Sequence, residues 1–483
     1  MAEFTLYWHD YETFGADPRN DRPAQFAGLR TDQELNVIGE PLLIYCRPPR
    51  DALPEPEACL ITGITPQRAD ELGLREADFI GRINEELGMP GTCGLGYNSL
   101  RFDDEVTRYG LYRNFFDPYE REWRNGNSRW DMIDVARLMS ALRPEGMVWP
   151  RDDSGKVSFR LENLTAANGI LHEGAHDALV DVKATIDLAR LIKTAQPRLY
   201  DFVWRNRGKR EVASLLRVGE FQPLIHVSGK YTAEQQRLAV VVALAQHPTN
   251  PNGVIVCDLS QDPESWFDLD SDSLRQRLYR PASERGEGEQ RIPLKTVHIN
   301  KAPVVAPLSV MRPQDSERLG ISLEQCRKHC LTLQAVAPTL LGKLDHVFSS
   351  TPDLPPETAS DPDTQLYGGG FFSDADRKTM TRIRLMTPQQ LTDSRFDFQD
   401  ARLPEMLFRY RARNYPESLS AVELERWEAF RKERLLGAAA GGGPSRVTRY
   451  RNSLEQLEAR PGLSEAQRRI LSDLRLWEQE IIG

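Results

Sequence analysis

The segment His9-Asp10-Tyr11-Glu12-Thr13 decides the fold that this sequence predicts. It follows an aromatic and β-branched run at residues 4–8, which is typical of a first strand. Side chains alternate between the faces of a strand, so Asp10 and Glu12 point the same way. Two carboxylates on one buried face repel each other and lose hydration, and a divalent cation between them relieves both costs. Oxygen ligands of this kind suit Mg²⁺ or Mn²⁺. An isolated pair of acids is more often simply exposed on an edge strand, so the interpretation depends on the rest of the chain.

Strand-like and helix-like stretches alternate through residues 1–197. Thr65 followed by Pro66 is typical of a helix start, and Asp103 opens another helix. The alternation predicts an α/β unit, a sheet with helices on its faces and functional sites at the strand ends. Further strands are predicted at 36–45 and 92–98, and helices from Pro66 to Leu87, at 131–142 and at 178–192.

Size and composition limit the class of protein. The 483 residues allow two to four domains, and no stretch approaches the ~20 apolar residues that span a bilayer. The first strand starts without a basic and apolar leader, so we expect a cytoplasmic protein with reduced cysteines. The net charge of −9 argues against a surface that binds nucleic acid everywhere, but it allows one basic groove.

The composition changes after Gln196-Pro197-Arg198. Residues 198–240 carry eight Arg or Lys against four acids, and strand-like runs at 224–228, 238–243, 253–258 and 294–299 predict a small β-barrel or sheet. A helical pattern covers 318–348, a Pro/Ser/Asp-rich linker 349–362, and helices return from about residue 374. We therefore predict domains at 1–197, 198–350 and 351–483, with a Gly-rich segment at 437–444 that interrupts the last helices.

The candidate chemistry lies in the first domain. Asp10, Glu12, Asp103 and Asp181 are acids at strand or helix ends, and His176 precedes Asp181 by five residues. Several carboxylates with one histidine fit metal-assisted attack of water on a phosphodiester, with two cations about 4 Å apart clamping the attacking and leaving oxygens. The histidine would accept the proton of the water, because its pKa lies near working pH.

The order Asp-x-Glu, Asp, His-x₄-Asp is the signature of DEDDh-type 3′→5′ exonucleases, and longer segments resemble the bacterial exodeoxyribonuclease I family. These segments cover nearly the whole chain: residues 9–15, 21–27, 60–66, 96–98, 101–105, 158–162, 297–301, 371–377 and 410–414.

The resemblance implies a ribonuclease H-like exonuclease domain with a mixed sheet, an SH3-like β-barrel domain and a C-terminal helical domain. It implies a monomer that degrades single-stranded DNA to 5′-mononucleotides in repair and recombination, with two Mg²⁺ ions, or Mn²⁺ in their place. Asp10, Glu12, Asp103 and Asp181 resemble the metal ligands, and His176 the general base. Positions that resemble the family's DNA contacts are Glu12, Thr13, Arg108, Tyr119, Trp123, Arg137 and Arg160.

The resemblance also implies a partner, the acidic and apolar tail of single-stranded-DNA-binding protein. Arg143 and Arg312 match the basic positions for its terminal carboxylate. Phe202 stands at an aromatic position where the family has Tyr, so a hydroxyl contact is missing.

Other interpretations remain open at the level of sequence. Asp104 and Glu105 are expected to be helix-opening acids, His172 a solvated loop residue and His9 a packed strand histidine. Tyr119 and Trp123 are four residues apart and would share one face of a helix, either as a stacking surface or as core aromatics. For the whole chain, an exoribonuclease and a binding module on a nuclease scaffold are the alternatives.

Overall fold

The computed structural model describes residues 4–172, 177–281, 284–286, 291–349, 361–438 and 442–482. The chain divides into two compact units, each made of separate segments. The first contains residues 1–128, 172–183 and 354–483, and the second contains residues 129–171 and 184–353. The predicted linker lies mostly, and the predicted Gly-rich interruption partly, outside the described residues.

A mixed sheet contains the strand of Asp10 and Glu12. Its strands are β1 (Thr5–Thr13), β2 (Pro23–Thr31), β3 (Val37–Tyr45), β4 (Thr92–Gly96) and β5 (Ser128–Asp131), in the order β3-β2-β1-β4-β5. β1 pairs antiparallel with β2 and parallel with β4. β1 is therefore an interior strand, and the prediction of an α/β unit is confirmed.

The strand β2 is absent from the strands that the sequence predicted. All of β2 except Arg30 is buried, including Gln25 at 1% exposure. Pro23 lies at the start of the strand, the position in a strand where a missing N–H is tolerated. A strand buried on both faces shows no alternation, so a period of two could not reveal it.

Helices lie between and after these strands along the chain. Thr65 begins the helix α2 (Pro66–Leu72) as predicted, because its side chain accepts a hydrogen bond from Arg68 N while Pro66 occupies the first turn. The single helix predicted up to Leu87 was wrong, because the backbone becomes extended at Gly73 and a separate helix begins at Glu76. The helices up to the predicted domain boundary are α1 (Pro56–Thr62), α2 (Pro66–Leu72), α3 (Glu76–Gly88), α4 (Asp103–Arg113), α5 (Met132–Leu142), α6 (Leu161–Ala167) and α7 (Ala178–Ala195).

The second unit contains an antiparallel sheet in the order β10-β6-β7-β8-β9. Its strands are β6 (Leu224–Val227), β7 (Leu238–Gln246), β8 (Gly253–Asp258), β9 (Leu294–His298) and β10 (Val305–Pro307). The first four were predicted, whereas the three-residue β10 is too short to leave a pattern. The accompanying helices are α8 (Pro197–Arg205), α9 (Lys209–Leu215), α10 (Ser271–Tyr279), α11 (Pro313–Arg318) and α12 (Leu323–Ser349).

The C-terminal part is helical, as predicted, and belongs to the first unit. It comprises α13 (Asp374–Arg384), α14 (Pro388–Asp393), α15 (Leu403–Asn414), α16 (Ala421–Leu436), α17 (Arg446–Glu458) and α18 (Glu465–Ile482). Within the described ranges, none of the helices is both long enough and apolar enough to cross a bilayer.

Buried ion pairs join this helical part to the N-terminal residues of the same unit. Asp51 is fully buried and accepts two hydrogen bonds from Arg413, at 2.8 and 3.1 Å. Arg413 also donates to Asp363 at 2.8 Å. Burial alone would raise the pKa of Asp51, but Arg413 and then Arg434 outweigh it and hold that pKa far below its usual range. The carboxylate is thus charged, buried and dependent on its arginines.

We predict that Asp51→Ala lowers the free energy of unfolding by about 3–5 kcal/mol, because it leaves buried arginines without their counter-charge. Urea unfolding of the full chain measures this. Glu71→Ala, which removes an exposed acid, is the matched control and changes stability by at most about 0.5 kcal/mol. A loss for Asp51→Ala as small as that of the control would contradict the assigned role.

Candidate active site

Three acids from two distant parts of the sequence meet beside the end of β1. Asp10 and Glu12 lie on β1, and Asp181 lies in the first turn of α7. One carboxylate oxygen from each lies within 4.8 Å of the others. α7 begins close to β2, because Ala178 N donates to the buried Gln25 Oε1 at 3.1 Å. The unpredicted strand β2 therefore helps to position a predicted ligand.

A backbone amide of β1 holds the side chain of Asp103 against that strand. Its Oδ1 accepts a hydrogen bond of 3.0 Å from Tyr11 N, the amide between Asp10 and Glu12. Asp103 opens α4, as the sequence predicted, and is buried. The structure thus brings all four predicted acids together.

Burial and the neighbouring acids disfavour the ionisation of Asp10 and Glu12 in the absence of a cation. Burial raises the pKa of Asp10 well above its usual range, and the charges of Asp103, Glu12 and Asp181 raise it further. Burial, followed by Asp181 and Asp103, raises the pKa of Glu12 to about 9. A set of buried, mutually repelling oxygen donors fits a hard divalent cation, which would replace the shared protons.

Asp177 is a fifth acid at this site that the sequence analysis did not select. It also raises the pKa of Glu12, and its Oδ1 accepts hydrogen bonds at the start of α7 from Leu179 N at 3.1 Å and Val180 N at 3.4 Å. Its position directly after His176 was the available signal. Its cap-like hydrogen bonds explain its presence without a metal.

The expectation that His172 is a solvated loop residue was wrong. Its side chain is only 6% exposed, and its Nε2 lies 2.5 Å from Asp181 Oδ1. The carboxylate draws the imidazole out of solvent, an attraction that residue spacing alone could not show. His176, the predicted general base, lies outside the described residues.

The other acids and histidines match their structural interpretations. His9 is buried, packs against Phe26 with ring centroids 6.0 Å apart, and burial lowers its pKa to about 4. Asp104 and Glu105 lie in the first turn of α4, where Asp104 forms a buried ion pair with Arg121 at 2.7 Å.

Arg108, a predicted DNA contact, is already paired with acids. Its guanidinium contacts Glu122 and Glu105 at 2.7 Å each, and Tyr367 Oη at 3.0 Å. Burial lowers the pKa of Arg108, but Glu122, Asp104 and Tyr367 together outweigh it and raise that pKa above its usual range. Arg108 is therefore a charged but neutralised group, and a phosphate would have to compete with its two carboxylates.

Tyr119 and Trp123 do not lie on an α-helix, so their spacing of four residues does not place them on one helical face. Tyr119 precedes a 3₁₀ turn at Glu120–Glu122, and Trp123 has an extended φ of −143°. Asp117 Oδ1 accepts from Tyr119 N and Glu120 N, which favours a local turn over a helix. Both aromatics nevertheless line one cavity of about 770 Å³, and Trp123 is 66% exposed.

The other predicted DNA contacts differ in exposure. Thr13 Oγ1 donates to Gly15 O at 2.7 Å, at the end of β1. In the second unit Arg137 is buried and pairs with Asp134 at 2.6 Å, while Arg160 is exposed at the start of α6.

The two predicted partner-binding arginines converge on one carboxylate. Arg143 and Arg312 contact Asp315 at 3.1 and 2.9 Å, and Asp315 has only 1% of its side chain exposed. Phe202 is half-buried on α8. Sequence reasoning missed Asp315, which lies three residues after Arg312 on the short helix α11.

Three family models match successive parts of the chain. An exonuclease model matches residues 7–189, an Exonuclease I SH3-like domain matches 207–350, and an Exonuclease I C-terminal domain matches 360–481. The chain is 49% identical over 433 residues to exodeoxyribonuclease I of Escherichia coli K12, covering 89% of each. The chain belongs to the exodeoxyribonuclease I family.

Solved structures of exonuclease I agree with this fold over the full length. The enzyme from Methylocaldum szegediense is 57% identical, with a TM-score of 0.92 over 99% of this chain and 100% of that one. The E. coli enzyme in complex with a dA16 oligonucleotide is 45% identical, with a TM-score of 0.94 and the same coverage.

Family membership confirms several predictions made from the sequence. The ribonuclease H-like, SH3-like and C-terminal helical architecture is that of exonuclease I, and the chain is an exonuclease. Exonucleases of this fold require divalent metal ions, and the acidic cluster fits that requirement. The exact domain boundaries and the roles of individual site residues stay predictions.

The raised carboxylate pKa values predict how the metal-free exonuclease responds to pH. The folded protein keeps a proton on Glu12 up to about pH 9, whereas the unfolded chain releases it near its ordinary 4.5. Stability in EDTA therefore falls as pH rises through this window, by up to about 1.4 kcal/mol per pH unit for this one group. Thermal melts across the window, with EDTA or excess Mg²⁺, measure the effect.

Two comparisons test the cause of this pH dependence. Glu12→Gln flattens the slope in EDTA, and Mg²⁺ flattens it for the unchanged protein by binding the ionised form. Equal slopes in EDTA and Mg²⁺ would show that the acids do not share a cation.

Proposed function

We propose that this protein is a Mg²⁺-dependent 3′→5′ exodeoxyribonuclease that removes 5′-mononucleotides from single-stranded DNA. The observation that carries the proposal is the meeting of Asp10, Glu12, Asp103 and Asp181 in one buried pocket. The E. coli relative in complex with a dA16 oligonucleotide supports single-stranded DNA as the substrate.

The four acids are the groups that would hold two metal ions. A zinc-bound form of the E. coli exonuclease I–DNA complex supports a divalent ion at such a site. When bound, such ions neutralise phosphate charge and lower the pKa of a coordinated water. We assign Mg²⁺ because the donors are hard carboxylate oxygens, with Mn²⁺ as a substitute.

The chain's own residues position these groups and move the proton. The amide of Tyr11 orients Asp103, and β1 fixes the two-residue spacing of Asp10 and Glu12. We assign His176 as the general base that takes the proton from the attacking water. His172 contacts Asp181, so we assign it to positioning that carboxylate.

We assign substrate contacts to aromatic and cationic side chains at the positions that resemble the family's DNA contacts. Trp123 and Tyr119 offer faces on which bases stack, and Thr13 follows the β1 acids directly. Arg108 and Arg137 are held by neighbouring acids, so they would supply fixed, oriented charge, whereas Arg160 is exposed.

We further propose that Arg143 and Arg312 bind the acidic C-terminal tail of single-stranded-DNA-binding protein, with Phe202 against its apolar residues. A solved complex of exonuclease I and that protein with an inhibitor supports such a partner. Asp315 orders the two arginines but also competes with a carboxylate for them. The roles in repair and recombination, the monomeric state and the cytoplasmic location stay predictions.

We predict that the protein degrades a 5′-labelled oligothymidylate from its 3′ end to mononucleotides, only with a divalent cation present. Asp10→Asn lowers the rate by ~10²-fold or more, since it removes one ligand charge without changing the side chain's size. Gel analysis and product chromatography measure both. An Asp10→Asn rate close to the parent rate would favour a binding module on a nuclease scaffold.

The same assay separates DNA from RNA specificity. Thymidylate and uridylate oligomers of equal length differ in the 2′-hydroxyl and the base methyl group, and we expect much slower degradation of the uridylate. Comparable rates would favour the exoribonuclease alternative.

The two histidines that precede Asp181 in the sequence should respond differently to mutation. His176→Ala lowers kcat by ~10²-fold or more and removes the acidic limb of the pH–rate profile, because the base is lost. His172→Ala keeps that limb and instead weakens the apparent affinity for Mg²⁺, because Asp181 is less well oriented. Loss of the limb in His172→Ala, with retention in His176→Ala, would reverse the assignment.

A further inference from the structure

A separate cavity of about 320 Å³ in the first unit lies beneath the loop that follows β1. This volume is at the small end of the range for ligand sites. None of the four acids at the active site lines it. The residues that matter for its chemistry are Phe14, Asp21, Arg22, Arg446, Arg449 and Tyr450.

Arg22 is a buried cation with too few acceptors. It is 3% exposed, and its Nη1 donates to Asn20 O at 3.2 Å. Its Nε and Nη2 have no hydrogen-bond partner among the described residues. Burial and the nearby Arg113 lower the pKa of Arg22 to about 9. A buried guanidinium in this state is stabilised by an added anion.

Two more arginines reach the cavity from the start of α17. Arg446 is the first residue of this 13-residue helix, and Arg449 follows one turn later. Neither forms an ion pair within the described chain, and burial together with Arg434 and Arg449 lowers the pKa of Arg446. The positive end of the helix dipole adds to this attraction for an anion.

The cavity also holds groups that a bare anion would not use. Asp21 and Glu55 line it, and burial, together with Glu55, raises the pKa of Asp21 to about 6. These carboxyl groups suit hydroxyl or amino donors on a ligand. The rings of Phe14 and Tyr450 supply apolar faces for a planar group. Phosphate, hydroxyl and planar ring together describe a nucleotide.

We propose that this cavity is a second site that binds a 5′-mononucleotide, with its phosphate on Arg22, Arg446 and Arg449 and its sugar hydroxyl on Asp21. The choice of a mononucleotide over other phosphates rests on the proposed function, which releases this product. The cavity is tied to the catalytic strand: Phe14 N donates to Arg22 O at 2.9 Å, and Glu55 N donates to Phe14 O at 2.7 Å. Phe14 is two residues beyond Glu12, so an occupied cavity stiffens the end of β1.

The test is calorimetric titration of the full-length protein with thymidine 5′-monophosphate in EDTA. Without cations the active site lacks the positive charge that would hold a phosphate, so binding reports the second cavity. Arg449→Gln and Arg446→Gln each weaken binding about tenfold, the effect of one lost charged hydrogen bond to phosphate. Arg468→Gln removes an exposed arginine that does not line the cavity and leaves the affinity unchanged.

Each outcome decides the proposal independently of the nuclease activity. Binding that Arg449→Gln weakens, Arg468→Gln spares and thymidine does not reproduce supports the site. Absence of binding, or equal affinity in the Arg449→Gln and Arg468→Gln variants, overturns it. Equal affinity for inorganic phosphate and the nucleotide overturns the assignment to a nucleotide. Exonuclease rates of the three variants at low product concentration stay near the parent rate, so failure of the proposed function is detected separately in the DNA assay.

Discussion

The repulsion among the carboxylates clustered beside β1 is the constraint on which the functional interpretation depends. β1 supplies Asp10 and Glu12 at fixed spacing, the amide of Tyr11 holds Asp103 between them, and α7 brings Asp181 to the same place. Holding Asp10 and Glu12 in this cluster costs stability, because burial and like charge both oppose their ionisation. A bound divalent cation would offset this cost, which explains why a protein can keep such an arrangement.

Other buried acids in the same unit are treated differently. Asp51 and Asp363 are both buried, but Arg413 bridges them, and their pKa values are lowered rather than raised. Asp315 in the second unit is likewise held by arginines. Asp51, Asp363 and Asp315 are thus each paired with arginine side chains, whereas the acids beside β1 are clustered with one another. That acidic cluster is the active-site candidate, and the cavity around Arg22 is its cationic counterpart.

Local patterns in the sequence predicted much of the fold and site. The β-branched run before Asp10, the cap at Thr65 and the apolar stripe of α7 each depend on neighbouring residues only, and each prediction was confirmed. Asp10, Glu12, Asp103 and Asp181 could be selected because they stand at strand and helix ends and because their order along the chain resembles the DEDDh signature.

The features that escaped prediction depend on contacts distant in sequence. β2 is buried on both faces and has no period, β10 is three residues long, and the turns after Tyr119 follow from the side chain of Asp117. His172 looked like a loop residue because nothing nearby in the sequence reveals its contact with Asp181, nine positions away. Asp315 and Arg22 acquire their significance only from partners, or missing partners, brought close by folding.

The most direct test of the central claim is a crystal structure of the full chain soaked in Mn²⁺, with anomalous scattering used to place the ions. The account predicts two anomalous peaks about 4 Å apart, each about 2 Å from carboxylate oxygens of Asp10, Glu12, Asp103 or Asp181. Both peaks should weaken or vanish in Asp10→Asn. A pocket that stays free of manganese while its acids remain clustered, or manganese bound elsewhere in the chain, would contradict the account.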